Sequence, residues 1–167
     1  MTSDLMLPRK WTLRARGQQV VFVKKRNEKS SHVVMKALLW ALYLEPYPDL
    51  AVEIRIGDRF KPDVVSLDER GEPRFWGESG QVGVRKLASI FKRFPRTHFA
   101  IAKWNTSLRP HADIIEGALK GMRRTAAVDL LRFDEESVEQ FVDERGEITL
   151  SFADVEMVRF DAEPTRS

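Results

Sequence analysis

The chain has 167 residues, a net charge of +3, 43% hydrophobic residues and no cysteine. This length suits one domain over residues 1–167, and the lack of cysteine excludes disulfide scaffolds, thiol catalysis and cysteine-based zinc sites. The longest apolar run, residues 33–44, contains Lys36 and is far shorter than the roughly 20 residues of a membrane span. Residues 1–10 lack the pattern of a signal peptide. We therefore expect a soluble cytoplasmic protein that does not bind membranes.

Hydrophobic spacing in the first half of the chain predicts a hairpin, a helix and three strands. Residues 11–25 contain two apolar runs around Gly17, which is typical of two strands joined by a turn. Apolar residues recur every three or four positions over residues 33–42, so a helix is predicted there, ending before Pro46. Strands are expected at residues 52–56, 63–67 and 74–79. Polar turns separate these strands, which favours an antiparallel meander.

Helices and strands alternate in the second half of the chain. Helical spacing occurs in residues 84–94, 110–122 and 134–143. Strands are predicted at residues 98–104, 127–133 and 155–160, the last at a sheet edge. This order indicates an α/β sandwich in which a central mixed β-sheet is flanked by helices. We expect the core within about 28–104 and an acidic C-terminal extension over about 134–167.

The charge is distributed unevenly along the chain. Residues 1–29 carry +6 and residues 85–124 carry +8, whereas residues 125–167 carry −8. Clustered Lys and Arg side chains attract phosphate backbones, so DNA or RNA is the expected partner. The expected nucleic-acid-binding residues are Arg85, Lys92, Arg93 and Lys103. The alternative is that these cations only solvate one face of the protein.

Two carboxylates at strand ends are the main candidates for a functional site. If the strands at residues 63–67 and 74–79 pair across a turn at Gly71, Asp63 becomes the neighbour of Glu78. Adjacent carboxylates repel each other unless a cation lies between them, and Mg²⁺, Mn²⁺ and Ca²⁺ prefer such oxygen ligands. The alternative is a pair of solvated charges without a function.

The residues around these carboxylates resemble a known nuclease signature. The segments Lys-Pro-Asp-Val-Val at residues 61–65 and Phe-Trp-Gly-Glu-Ser-Gly-Gln at residues 75–81 are similar to the motif of the PD-(D/E)xK nuclease superfamily. The similarity is closer to its YaeQ-like branch, in which a Gly-Gln pair replaces the usual lysine. Glu28 resembles the acidic residue that this branch carries in its first helix. The resemblance covers residues 28–104.

The resemblance implies a restriction-endonuclease-like fold and a nuclease that uses Mg²⁺ or Mn²⁺ to hydrolyse phosphodiester bonds. The implied metal ligands are Asp63, Glu78, the backbone carbonyl of Ser79 and, through a water or a second metal, Glu28. The implied catalytic residues are Asp63, Glu78, Gln81 and Lys86. In such a site the metal activates a water and polarises the scissile phosphate.

The chain departs from the family pattern at the lysine position, which Gly80 occupies. A lysine there would orient the attacking water and offset charge in the transition state. Gln81 would point to the opposite face of a straight strand, although a bulge at Gly80 could redirect it. Arg85, Lys86 and Lys103 are the alternative sources of the cation.

This departure leaves two other functions open. The first is a catalytically inactive module that binds nucleic acid and retains the nuclease fold. The second is an interaction protein whose acidic end, residues 125–167, docks on a basic partner. A homodimer, in which two copies would cut two strands, is a further arrangement that the sequence does not decide.

Overall fold

The computed structural model describes residues 9–162 and begins with the predicted hairpin. Strands β1 (Arg9–Ala15) and β2 (Gln18–Lys24) pair antiparallel. The turn between them contains Gly17, whose φ of +78° lies in the left-handed region that favours glycine. The hairpin forms a two-stranded sheet of its own.

The central sheet has six strands and is mixed, as predicted. These are β3 (Ala51–Val52), β4 (Val64–Leu67), β5 (Pro73–Ser79), β6 (His98–Trp104), β7 (Val128–Phe133) and β8 (Glu156–Phe160). They lie in the sheet in this order. Strands β3, β4 and β5 form an antiparallel meander, β5, β6 and β7 are parallel, and β8 returns antiparallel at the edge.

Helices form in each of the four segments where helical spacing predicted them. They are α1 (Ser30–Tyr43), α2 (Val84–Arg93), α3 (Arg109–Leu119) and α4 (Glu135–Phe141). Helix α3 ends earlier than its predicted limit of residue 122, because Lys120 has extended backbone and Gly121 has a φ of +77°. Within residues 9–162, no helix combines the length and apolarity needed to cross a membrane.

The strand predicted over residues 52–56 is mostly wrong. Strand β3 ends at Val52, and the next residue, Glu53, adopts a φ of +53° that no strand can continue through. Beyond Val52, the alternating isoleucines do not form one face of a strand. Ile56 packs against the core on one side of the sheet, whereas Ile54 is 38% exposed.

Apolar side chains form one core on each face of the central sheet. Helix α1 and the hairpin cover the first face, where the core includes Phe22, Trp40 and Phe75. Helices α2 and α3 cover the second face, where the core includes Trp76, Phe91 and Phe99. Because α2 and α3 are crossovers between parallel strands, they lie on the same face. The carboxyl end of β5 is therefore flanked by elements from both layers.

Candidate active site

The pairing of β4 with β5 brings the two predicted carboxylates to neighbouring positions. Val64 faces Gly77 and Val65 faces Trp76 across the ladder. Continuing this register by one residue sets Asp63 opposite Glu78, as expected from the sequence. The ladder is irregular only towards the turn, between Ser66 and Leu67.

Asp63 is held by the end of the neighbouring strand. Its Oδ2 accepts hydrogen bonds from the Ser79 amide at 2.8 Å and the Ser79 hydroxyl at 2.9 Å. The Nε2 atom of His32 lies 3.6 Å from the same oxygen. Burial raises the pKa of Asp63, but the contacts with His32 and Ser79 outweigh it and hold that pKa below its usual value. Asp63 is therefore ionised at neutral pH.

Glu78 lies deeper than Asp63, with 6% of its side chain exposed. Its Oε1 accepts a hydrogen bond from the Trp76 indole at 2.8 Å and lies 3.2 Å from the Lys86 ammonium. Burial raises the pKa of Glu78 and the negative charge of Asp63 raises it further, which outweighs the attraction of Lys86. Glu78 and Asp63 thus interact electrostatically, and Lys86 lies beside Glu78.

Glu28 joins this cluster through intermediate side chains. Its Oε1 accepts from the Lys25 amide at 2.9 Å, and its Oε2 accepts from His32 Nδ1 and Lys36 Nζ, both at 2.7 Å. Burial raises the pKa of Glu28, but the hydrogen bonds from Lys36 and Lys25 lower it overall. Both oxygens of Glu28 are already engaged, so its link to Asp63 runs through the His32 ring.

Sequence reasoning missed three members of this cluster. Lys36 is almost fully buried and bridges Glu28 to Glu53, whose Oε1 lies 2.5 Å from the ammonium. His32 connects Glu28 to Asp63. A signal existed for two of them: Lys36 interrupts an apolar helical run, and Glu28, His32 and Lys36 follow one another at four-residue spacing. Nothing local pointed to Glu53.

A lysine from the neighbouring strand contacts the backbone of Gly80. Gly80 has a φ of +85°, and its amide donates to the Ala102 carbonyl at 3.1 Å. The Lys103 ammonium donates to the Gly80 carbonyl at 2.8 Å. Lys103 is buried, which lowers its pKa. Of the three alternatives raised from the sequence, Lys103 and Lys86 therefore lie at the end of β5.

A cleft of about 680 Å³ opens next to this cluster. Its lining includes Glu28, His32, Gly80, Gln81, Lys103 and His111. Gln81 is exposed there, on the wall that follows β5. Asp63 and Glu78 are not part of the lining, and His32 lies between the cleft and Asp63.

The remaining cations predicted to bind nucleic acid lie on α2. Arg85 and Lys92 are exposed. Arg93 is engaged within the protein, because its guanidinium pairs with Asp58 and stacks over Phe94 at 5.1 Å. Arg85 and Lys92 are therefore the more accessible members of the predicted set.

The carboxylate pair supplies the type of oxygen ligand that magnesium prefers. Among residues 9–162, no three His, Asp or Glu side chains converge to hold a metal on their own. Over the same residues, Asp63 Oδ1 and Glu78 Oε2 accept no hydrogen bond. Protein Mg²⁺ sites often use only one or two carboxylates and complete the shell with water and substrate phosphate. These two oxygens are donors of that kind.

Solved structures resemble this chain in fold. No family model matches the chain, and no curated protein matches its sequence. The YaeQ protein from Pseudomonas syringae matches with a TM-score of 0.60 and 16% identity, over 85% of this chain and 79% of that one. The YaeQ protein from Xanthomonas axonopodis pv. citri matches with a TM-score of 0.50 and 16% identity, over 80% and 76%. This chain has a YaeQ-like fold.

Proposed function

We propose that this chain is a PD-(D/E)xK enzyme of restriction-endonuclease-like fold that hydrolyses phosphodiester bonds in nucleic acid with Mg²⁺ or Mn²⁺. The observation that carries the proposal is the pair Asp63 and Glu78, which meet at adjacent strand ends and each keep one carboxylate oxygen that accepts no hydrogen bond among residues 9–162. The order of helix, antiparallel meander, helix and parallel strand around them supports the superfamily fold.

Each residue of the cluster has a distinct part in this proposal. Asp63 and Glu78 would hold the cation, and Ser79 keeps Asp63 oriented through two hydrogen bonds. The bound metal would polarise the phosphate and lower the pKa of an attacking water. Lys103 supplies a positive charge beside Gly80, where it would offset charge that develops on the phosphate. Glu28 keeps His32 in place.

Charge on the adjoining surface supports a polyanionic substrate. Residues 85–124 contain 10 basic and 2 acidic side chains. Helix α2 begins five residues after the end of β5, so Arg85 and Lys86 in its first turn lie near the carboxylates, whereas Lys92 lies in its last turn. Because neutralising phosphates releases counterions, binding should weaken steeply as salt rises.

Calorimetric titration with Mn²⁺ at low ionic strength tests the proposal. We expect the wild type to bind the ion, and both Asp63→Asn and Glu78→Gln to lose that binding. The control is Asp49→Asn, which removes an exposed carboxylate paired with Arg74. Cleavage of single-stranded and duplex DNA and RNA should fall on the order of a hundredfold in the two site variants. A wild type that binds no Mn²⁺ at millimolar concentration and cuts none of these substrates would overturn the proposal.

A second function is favoured by the cations inside the cluster. Lys36 and His32 already compensate Glu28, and Lys86 stands against Glu78. This compensation is what a catalytically inactive nucleic-acid-binding module would need to stay folded without a metal. Equal affinity for nucleic acid in EDTA and in Mn²⁺, with no cleavage in either, would select this second function.

A further inference from the structure

Trp104, the last residue of β6, lies between two adjoining cavities. One is the cleft of about 680 Å³ described above, and the other has a volume of about 400 Å³. Lys29, Ser31 and Trp104 line both, so the two cavities share one wall. Trp104 is half-buried, which leaves part of its ring available to a ligand.

The two cavities differ in chemistry. Val34 and Val138 line the smaller one beside Trp104, and Glu135 borders it. The larger one is more polar and contains Lys103 and His111. A carboxylate such as Glu135 repels a phosphate from the smaller cavity.

The carboxylate in the larger cavity has a different effect. Glu28 is there, but both its oxygens are engaged, by Lys25, by His32 and by Lys36, which it shares with Glu53. Lys103 and Lys29 then leave the larger cavity favourable to an anion. The pair of cavities can therefore take a flat apolar group on one side and a phosphate on the other.

A nucleotide has this division of properties. Nucleobases stack on aromatic side chains, and lysines attract phosphates. Both volumes lie in the range of roughly 300–1,000 Å³ that small ligands occupy in proteins. A base paired inside a duplex cannot present its face to Trp104, whereas a base in a single strand can do so at no cost of unpairing.

We propose that the two cavities bind one unpaired nucleotide of the substrate, with its base against Trp104 and its phosphate beside Lys29 and Lys103. This inference rests on the proposed function, because it names single-stranded nucleic acid as the preferred form of that substrate. It also assigns a role to the neighbourhood of Lys103 that does not depend on a metal.

Fluorescence anisotropy in EDTA tests the site without hydrolysis. The probe is a labelled DNA of about a dozen nucleotides, single-stranded or annealed to its complement. We expect the wild type to bind the single strand about tenfold more tightly than the duplex, and Trp104→Ala to lose about tenfold in affinity for the single strand only. The control is Trp11→Ala, because Trp11 is also half-buried against the same core but lines neither cavity. Equal affinity for both forms would overturn the inference.

A second measurement covers the case in which Trp104→Ala fails to fold. Cytidine monophosphate should quench tryptophan fluorescence in the wild type and in Trp11→Phe, but not in Trp104→Phe. Quenching that survives Trp104→Phe would overturn the site. Single-strand binding without cleavage in Mn²⁺ would support the site and defeat the hydrolase, whereas cleavage without a single-strand preference would do the reverse.

Discussion

Buried carboxylates lie at both ends of the central sheet, but the two ends differ in how fully these groups are hydrogen-bonded. At the amino end of the parallel strands, Asp129 is fully buried and accepts hydrogen bonds from Tyr43 at 2.6 Å, His98 at 2.7 Å and Arg159 at 2.7 Å. At the carboxyl end, Asp63 and Glu78 lie side by side, and one oxygen of each accepts no hydrogen bond among residues 9–162.

The consequences appear in the acidity of the groups. Burial raises the pKa of Asp129, but the hydrogen bonds from His98, Arg159 and Tyr43 bring it down to about 2. Burial and the charge of Asp63 instead raise the pKa of Glu78. Hydrogen-bond donors stabilise the charged form of a buried acid, which then has a structural role. A neighbouring acid destabilises the charged form, so a cation placed between the two acids would be favourable. His98 belongs to this structural network through its bonds to Asp129 and Tyr47.

The largest expected effect on stability comes from a substitution of Asp129 at the amino end of the parallel strands. Asp129→Asn leaves the Arg159 guanidinium without its anion and weakens the hydrogen bonds from His98 and Tyr43, so we expect the free energy of unfolding to fall by about 3 kcal/mol at pH 7. Because the pKa of Asp129 is lowered in the folded state, its stabilisation is present above the usual pKa of aspartate and is lost as the pH falls towards 2. Urea denaturation from pH 7 to pH 2.5 measures both.

The matched control for this variant is Glu139→Gln, an exposed carboxylate on α4. Its stability should stay within about 0.5 kcal/mol of the wild type. A loss no larger in Asp129→Asn than in this control would remove the distinction between the two ends of the sheet.

A smaller loss of stability is expected when Lys36, the buried cation near the carboxyl end, is replaced. Lys36→Met removes the charge between Glu28 and Glu53, and we expect a loss of about 2 kcal/mol at pH 7, since both carboxylates keep some solvent contact. The lowered pKa of Glu28 contributes stability above the usual pKa of glutamate. The difference from the wild type should therefore shrink as the pH falls below about 4. Thermal unfolding at pH 7 and pH 3.5 tests this, and an equal loss at both pH values would contradict it.

The smallest effect has the opposite sign. Glu78→Gln retains an acceptor for the Trp76 indole and removes the repulsion with Asp63, so we expect stability to rise by up to about 1 kcal/mol at pH 7. Because the pKa of Glu78 is raised, the gain should vanish below the usual pKa of glutamate, where the carboxyl is protonated in both states. Melting curves across this range, with Glu116→Gln on the exposed face of α3 as the control, measure the gain. A clear destabilisation at pH 7 would mean that Glu78 is as fully compensated as Asp129.

Much of the fold was predictable because its signals are local. The bounds predicted for β6 agree with the strand His98–Trp104, since a compact apolar run between breakers leaves little freedom. The register that pairs Asp63 with Glu78 followed from the turn at Gly71. The prediction of a strand over residues 52–56 was wrong because the left-handed backbone of Glu53 ends the strand. The side chain of Glu53 is bound by Lys36, which lies 17 positions earlier, and this contact gives no local signal.

The sequence by itself determined the order of the elements, the mixed sheet and the meeting of two carboxylates at strand ends. These follow from hydrophobic period and turn residues, which act over a few positions. The tertiary structure alone decided that Lys36 is buried between Glu28 and Glu53, that Lys103 reaches the Gly80 carbonyl, and that Asp129 is satisfied by three donors. Each of these depends on side chains from different elements sharing one buried space, where the lack of water makes every polar partner count.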